Sequence, residues 1–176
     1  MKSHARLLGH PIHQMLIVFP LGLLGTAVIF DLIALLLSHS VAALVAYWTM
    51  AAGIVGALVA APFGLVDWLQ VPAGTRARRI GALHGGGNLV VTVLFIASWL
   101  MRDSDGATPP IALVLSIAGL VLSLVTAWLG GELVSRLGVG VYEDAGLNAP
   151  SSLRDRNKDK AQAHGAADGA TLRKSR

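Results

Sequence analysis

The chain has 176 residues, of which 54% are hydrophobic and only 14% are charged, and its mean hydropathy is +0.64. Apolar runs of about twenty residues or more within such a composition are typical of an integral membrane protein and exclude an ordinary soluble domain. The absence of cysteine excludes disulfides, iron–sulfur clusters, thiolate zinc sites, blue copper and covalently attached c-type haem.

The formal net charge of +4 does not indicate a nucleic-acid partner, because the basic excess lies in the polar tail after Ala149. Before that residue, acidic and basic side chains are equal in number. The tail has few large apolar side chains and cannot bury enough surface to order itself. We therefore expect residues 148–176 to form a disordered, polar and basic tail.

Four apolar segments precede the tail, and each is long enough to cross about 30 Å of hydrocarbon as a helix. They lie at about residues 12–37, 41–66, 83–101 and 111–133. Helices are predicted because a bilayer core offers no water to unpaired backbone groups, and the segments are too long and too uniformly apolar for barrel strands. The sequence predicts an all-α integral membrane four-helix bundle over residues 1–147.

Basic residues in the short loops give the predicted orientation. Lys2 and Arg6 precede the first segment, three arginines within 76–79 lie between the second and third, and Arg136 follows the fourth. The other two loops contain a single arginine, Arg102. The positive-inside rule therefore places both termini in the cytoplasm.

The first helix carries histidines at its start. Pro11 is suited to be the first helical residue, so His10 is expected to cap the helix and His13 to lie on its first turn. Asp31 follows His13 by eighteen residues, a rise of about 27 Å. Asp31 is therefore expected near the opposite surface, as an isolated hydrogen-bond acceptor beside the polar loop at His39.

The second and fourth helices each carry a stripe of small residues at three- and four-residue spacing. Such faces let helices approach closely in lipid, which explains the glycines but not Asp67, at the end of the first stripe. Glu132 lies beside the second stripe, and either joins a polar layer or pairs with Arg136 four residues further on.

The third helix is expected to open at His84, followed by three glycines and by Asn88 on the same helix face. The glycines permit close approach of a flat cofactor or of a neighbouring backbone. The spacing fits neither nucleotide-binding fingerprint, so nucleotide binding is set aside.

The predicted orientation gathers three imidazoles and two carboxylates at the cytoplasmic ends of the helices. Ionisable residues at such a depth are expensive, which makes the layer a functional-site hypothesis. His13 and His84 are its strongest members, because they lie on different helices at one depth. The candidates for cofactor binding are His10, His13 and His84, and the candidate metal ligands are His10, His13, Asp67, His84 and Glu132.

Five motifs resemble a bacterial family of predicted four-helix membrane proteins of unknown function. They are GHPIH at 9–13, GLVDW at 64–68, His84 with Asn88, AWLGGELV at 127–134 and GVGV at 138–141. The resemblance covers about residues 8–141, marks the same five candidate residues, and implies a multi-pass protein of the bacterial inner membrane. Some relatives are joined to Rieske-type or other redox domains, which implies a place near electron transfer.

Three functions compete. The first is a b-type cytochrome, in which His13 and His84 are the axial haem ligands and His10 is an alternative. The second is a non-haem zinc, iron or manganese site built from the imidazoles, Asp67 and Glu132. The third is a structural or assembly subunit.

Transport is disfavoured, because the four spans show no inverted repeat and no mid-membrane ionisable residue. A homo-oligomer would reopen that function. The expected partners are the lipid bilayer and either a membrane redox complex or further copies of this chain.

Overall fold

A computed structural model describes residues 2–38, 40–103 and 108–153 of the chain. Two short strands, β1 (Arg6–Leu7) and β2 (His10–Pro11), pair antiparallel before the helices. The helices are α1 (Ile12–Leu16), α2 (Val18–Leu37), α3 (Ser40–Leu69), α4 (Arg76–Leu100) and α5 (Pro110–Ser135). The mostly helical structure confirms the predicted fold class.

Four segments of the described chain are long and apolar enough to cross a membrane: Ile12–Leu37, Ser40–Leu69, Arg76–Leu100 and Pro110–Ser135. The chain is therefore a four-span membrane protein, as predicted, and its exposed apolar side chains would face lipid. An even number of spans returns the chain to the side on which it began. The cytoplasmic placement of that side and the bacterial inner membrane stay predictions.

The chain divides into a unit spanning Met1–Glu143, which contains the helices, and a second unit from Asp144 onward. Most of the predicted tail, residues 154–176, lies outside the described residues, as does His39. The disordered tail therefore stays a prediction.

The first membrane span has the predicted bounds, Ile12–Leu37, with a one-residue interruption at Ile17. The backbone of Ile17 stays in the right-handed helical region (φ −63°, ψ −16°), and its N–H still donates to the His13 carbonyl (3.1 Å). Pro20 has no N–H to donate to the carbonyl of Leu16, and its ring crowds that carbonyl, which accounts for the interruption. Pro11 is the N-cap residue of α1 and not its first helical residue. His10 consequently lies in β2 and does not cap the helix.

The third span begins seven residues earlier than predicted. The Thr75 hydroxyl accepts a hydrogen bond from the Arg78 N–H (3.1 Å), which caps α4 ahead of Arg76. The Arg78 guanidinium donates to the carbonyls of Trp68, Leu69 and Val71 at the end of α3. A prediction from apolar runs could not include these first turns, because they contain arginines. His84 therefore lies more than two turns inside α4 and not at its start.

The hairpin formed by α1 and α2 with α3 and the hairpin formed by α4 with α5 are copies of one unit. Residues 52–64 of α3 and 118–130 of α5 are identical at seven of thirteen positions. The buried Ala46, Met50, Gly53 and Ala60 of α3 recur 66 residues later as the buried Ala112, Ser116, Gly119 and Thr126 of α5. Buried Leu24 and Ala27 of α2 likewise recur 71 residues later as Phe95 and Ser98 of α4.

The two copies pack around the centre of the bundle. Helices α2 and α4 each contact both α3 and α5, so α2 and α4 face each other across the centre. Within each hairpin a glycine receives a large side chain: a methyl group at Gly53 would lie 2.7 Å from Leu24, and one at Gly119 would lie 2.9 Å from Phe95. These close approaches are the packing that the small-residue stripes predicted.

A buried ion pair joins the two copies. Asp31 of α2 and Arg102, just after α4, are 71 residues apart and so occupy equivalent positions in the repeat. Two N–H groups of the Arg102 guanidinium donate to the two carboxylate oxygens of Asp31. Both side chains are buried, with exposed fractions of 0% for Asp31 and 1% for Arg102. Ser98 accepts a further bond from Arg102 (2.9 Å). Asp31 is a hydrogen-bond acceptor, as predicted, but it is not isolated, because Arg102 pairs with it. Its predicted position beside His39 stays a prediction, since His39 lies outside the described residues.

We predict that Asp31→Ala or Arg102→Ala lowers the free energy of unfolding by about 3–5 kcal/mol, because each leaves a buried charge unpaired. Denaturant titration in detergent micelles measures the change. Exchanging both residues, Asp31→Arg with Arg102→Asp, should recover part of the loss. The exposed Arg136→Ala is the control, expected within about 0.5 kcal/mol of the parent. Single variants as stable as this control would contradict the prediction.

Candidate functional site: an imidazole pair across the bundle

The repeat brings two imidazoles together. His13 of α1 and His84 of α4 occupy equivalent positions, because they too are 71 residues apart. Their ring centroids are 6.5 Å apart and their planes are nearly perpendicular, at 88°. The predicted convergence of these two residues from different helices is therefore found in the structure.

Each imidazole is oriented by a backbone carbonyl of the partner helix in its own hairpin. His13 Nδ1 lies 3.0 Å from the Ala60 carbonyl oxygen, and His84 Nδ1 lies 2.8 Å from that of Thr126. Since a carbonyl only accepts, Nδ1 is the donor in both contacts, and the neutral form of each ring therefore has its lone pair on Nε2. The same arrangement orients histidines that bind metals through Nε2.

Equivalent glycines make room for the rings. A methyl group at Gly64 would lie 2.7 Å from His13 Cε1, and one at Gly130 would lie 3.0 Å from His84 Cε1. Both glycines lie four residues, about one helical turn, after Ala60 and Thr126, whose carbonyls accept from the two rings. The stripes thus serve the imidazoles as well as helix packing, a role that sequence reasoning missed.

His84 has a second set of contacts that His13 lacks. The Asn88 amide nitrogen lies 3.2 Å from His84 Nε2 and 3.5 Å from Nδ1, and it donates to the His84 carbonyl (2.9 Å). The Thr126 hydroxyl donates to Asn88 Oδ1 (3.0 Å). The repeat places Ile17 and Ala60 at the positions equivalent to Asn88 and Thr126. The two imidazoles therefore occupy chemically different surroundings.

Asp67 holds the N-terminal segment. Its carboxylate accepts hydrogen bonds from the Ser3 hydroxyl (2.8 Å to each oxygen) and from the N–H groups of His4 (3.0 Å) and Ala5 (3.4 Å). The Ala5 carbonyl in turn accepts from Ile12 N–H (2.9 Å) at the start of α1. Asp67 therefore fixes the segment that leads into the helix of His13.

Glu132 pairs with Arg76 at the start of α4 (2.7 Å), and not with Arg136 as one alternative had it. His10 lies in the short hairpin, paired in register with Leu7. Among the described residues, no three His, Asp or Glu side chains form a group able to hold a metal ion. Of the five predicted candidates, the structure therefore joins His13 with His84 and gives Asp67 and Glu132 other partners.

The GVGV segment packs against the entry to α1. The hydroxyl of Tyr142 donates to the Gly9 carbonyl (2.7 Å) and accepts from Arg6 (3.0 Å). A methyl group at Gly140, whose φ is +80°, would lie 2.7 Å from Gln14 Nε2. This polar contact of Tyr142 carried no signal in hydropathy or motif spacing, and sequence reasoning missed it.

The fold and the paired imidazoles define a four-span membrane protein built from two repeated helix hairpins. A family described as predicted membrane proteins, DUF2231, matches residues 9–143. The chain belongs to this family, which confirms the resemblance to an uncharacterised four-helix membrane family. No match to the chain is found among curated proteins or among solved structures.

We predict that Gly64→Ala displaces the His13 ring and lowers the free energy of unfolding by about 1–3 kcal/mol, the usual effect of overpacking. Thermal unfolding in micelles measures the change. The matched control is Gly85→Ala, because a methyl group there meets no atom within 4 Å. The control should be neutral or stabilising, by up to about 1 kcal/mol. Equal effects of the two changes would contradict the role assigned to Gly64.

We predict that Asp67→Ala frees residues 3–12, because it removes the acceptor of one hydroxyl and two backbone donors. Hydrogen exchange followed by mass spectrometry should show faster exchange in that segment, while exchange in α5 stays unchanged. Unaltered protection of the segment would contradict the anchoring role. Glu132→Ala is the control variant, since it removes a carboxylate that binds α4 instead.

Proposed function

We propose that this membrane protein carries a redox-active cofactor between His13 and His84, with haem b as the first candidate, and that it works in electron transfer. The observation that carries the proposal is the pair of imidazoles with centroids 6.5 Å apart, each held by a hydrogen bond from Nδ1 to a helix carbonyl. Both rings therefore have an Nε2 lone pair suited to a metal.

The spacing of the rings supports a shared metal. In a complex with two axial imidazoles, metal–nitrogen bonds of about 2.0 Å and about 1.2 Å from each nitrogen to its ring centroid put the centroids about 6.4 Å apart. The centroids of His13 and His84 are 6.5 Å apart. Four-helix bundles hold haem in this way, with one histidine from each of two facing helices.

The shortage of further ligands favours haem over a bare metal ion. Zinc, iron and manganese sites built from protein side chains need three or four ligands. The described residues form no group of three, because Asp67 and Glu132 are engaged elsewhere. Haem brings four equatorial nitrogens of its own, so two imidazoles complete its coordination.

The core beyond the imidazoles supports a function confined to one side of the membrane. The buried cluster between the histidines and the Asp31–Arg102 pair is apolar; it includes Leu24, Val28, Met50, Ile54, Val91 and Phe95. About 27 Å of helix rise separates the two polar ends. Electrons would therefore enter and leave on the histidine side.

We predict that the detergent-purified protein, expressed with haem supplied, gives a Soret band and sharp α and β bands after reduction with dithionite. His13→Ala and His84→Ala should each change this spectrum, because each removes an axial nitrogen. The matched control is His4→Ala, in which an exposed imidazole is removed and the backbone bond to Asp67 is kept.

A flat visible spectrum from folded protein would contradict the haem proposal. Metal analysis would then separate the other two functions. Stoichiometric metal that is lost in both histidine variants would support a non-haem site. An absence of metal, with both variants tolerated, would support a structural or assembly subunit.

A further inference from the structure

We propose that the two imidazoles have different tasks: His84 is the fixed ligand of the cofactor, and His13 is the exchangeable ligand, whose departure opens a binding position for a small neutral molecule with a lone pair. This inference rests on the proposed function. It assigns a ligand-binding position to one face of the cofactor, and it makes Asn88 and Thr126 positioning residues of His84.

Thr126 positions His84 through two hydrogen bonds, one direct and one through Asn88. Its carbonyl accepts from His84 Nδ1, and its hydroxyl holds Asn88, whose amide bonds the His84 carbonyl and contacts the ring. The amide nitrogen does not lie on the Nε2 lone pair, because a donor on that line would be about 5 Å from Nδ1. The amide nitrogen lies 3.5 Å from Nδ1. His84 is thus immobilised while its Nε2 lone pair points away from this donor.

His13 is held less firmly. Ile17 and Ala60 stand where the second copy has Asn88 and Thr126, so the amide and hydroxyl contacts are missing. Within the described part of the chain, the hydrogen bond to the Ala60 carbonyl is the one that its ring makes. The Gly64 surface packs against it without a polar contact.

The helices that carry the two histidines also indicate that His84 is held more firmly than His13. His84 lies in the continuous 25-residue helix α4, whereas His13 lies in the five-residue helix α1. Pro20 removes one hydrogen bond from the join between α1 and α2, because it has no N–H to donate to the Leu16 carbonyl. A small rotation of α1 withdraws His13 while α2 stays packed in the bundle.

The exchange needs no co-reactant. If a metal is bound between the rings, His13 Nε2 would leave it and the lone pair of the incoming molecule would take its place. The imidazole leaves neutral, and no electron or proton is transferred.

The test compares haem retention and carbon monoxide binding in the reduced full-length protein. His13→Ala should keep haem in a five-coordinate form and bind carbon monoxide faster than the parent, in which His13 must leave first. His84→Ala should lose most of its haem. Equal losses in the two variants, or the reverse order, would overturn the inference and leave the proposed function standing. A parent protein without haem or metal would overturn both.

Variants that keep both histidines guard against a folding failure. Thr126→Val should weaken haem retention by about 10- to 100-fold, as loss of a group that orients a ligand does, while Thr126→Ser should retain it. Pro20→Ala supplies a backbone N–H at residue 20 that can donate to the Leu16 carbonyl, and should slow carbon monoxide binding several-fold. Unchanged retention in Thr126→Val together with an unchanged rate in Pro20→Ala would also overturn the inference.

Discussion

The contact between the two repeated hairpins across the centre of the bundle is the interaction on which the rest of the structure depends. At one end the Asp31–Arg102 pair satisfies two charges that lipid could not solvate, and at the other the ring centroids of His13 and His84 lie 6.5 Å apart. An apolar core fills the length between them. Because both polar contacts join equivalent positions of a repeated hairpin, one symmetry relation places them together.

The repeat also shows where the two copies have diverged. The position that is Asp31 in the first hairpin is Arg102 in the second, so each hairpin complements the other and repels a second copy of itself. The pair therefore specifies association of unlike hairpins. A second difference is at the equivalent positions Ile17 and Asn88, which give the two imidazoles different surroundings. Divergence at the centre turns a symmetric scaffold into an asymmetric site.

Much of this architecture could be predicted from the sequence, because bilayer thickness fixes the length of an apolar helix. The four spans and the pairing of His13 with His84 follow from that constraint. The start of α4 could not be found in this way, since Thr75 and Arg78 cap it with polar atoms. The partners of Asp31 and Glu132 depend on which helices are neighbours, and hydropathy carries no such information. The two repeated hairpins have the same orientation in the membrane. The sequence prediction considered only an inverted repeat and therefore did not find them.

Membership of DUF2231 defines the kind of membrane protein, and the chemistry of the site rests on the imidazole pair. The carbonyls of Ala60 and Thr126 determine which nitrogen of each ring is protonated. Gly64 and Gly130 determine how closely the rings approach the neighbouring helices. Each ring is thus oriented by the backbone of its own hairpin, and the association of the two hairpins brings the two rings together.

The most direct test of the central claim is an electron paramagnetic resonance spectrum of the oxidised, haem-supplied protein at low temperature. Two axial histidines whose planes stand at 88° predict a highly anisotropic low-spin ferric signal, with a large maximum g value. Ligation by His13 and His84 with this geometry requires that signal. A purely high-spin signal, a low-spin signal typical of parallel imidazoles, or no haem signal from folded protein would contradict the claim.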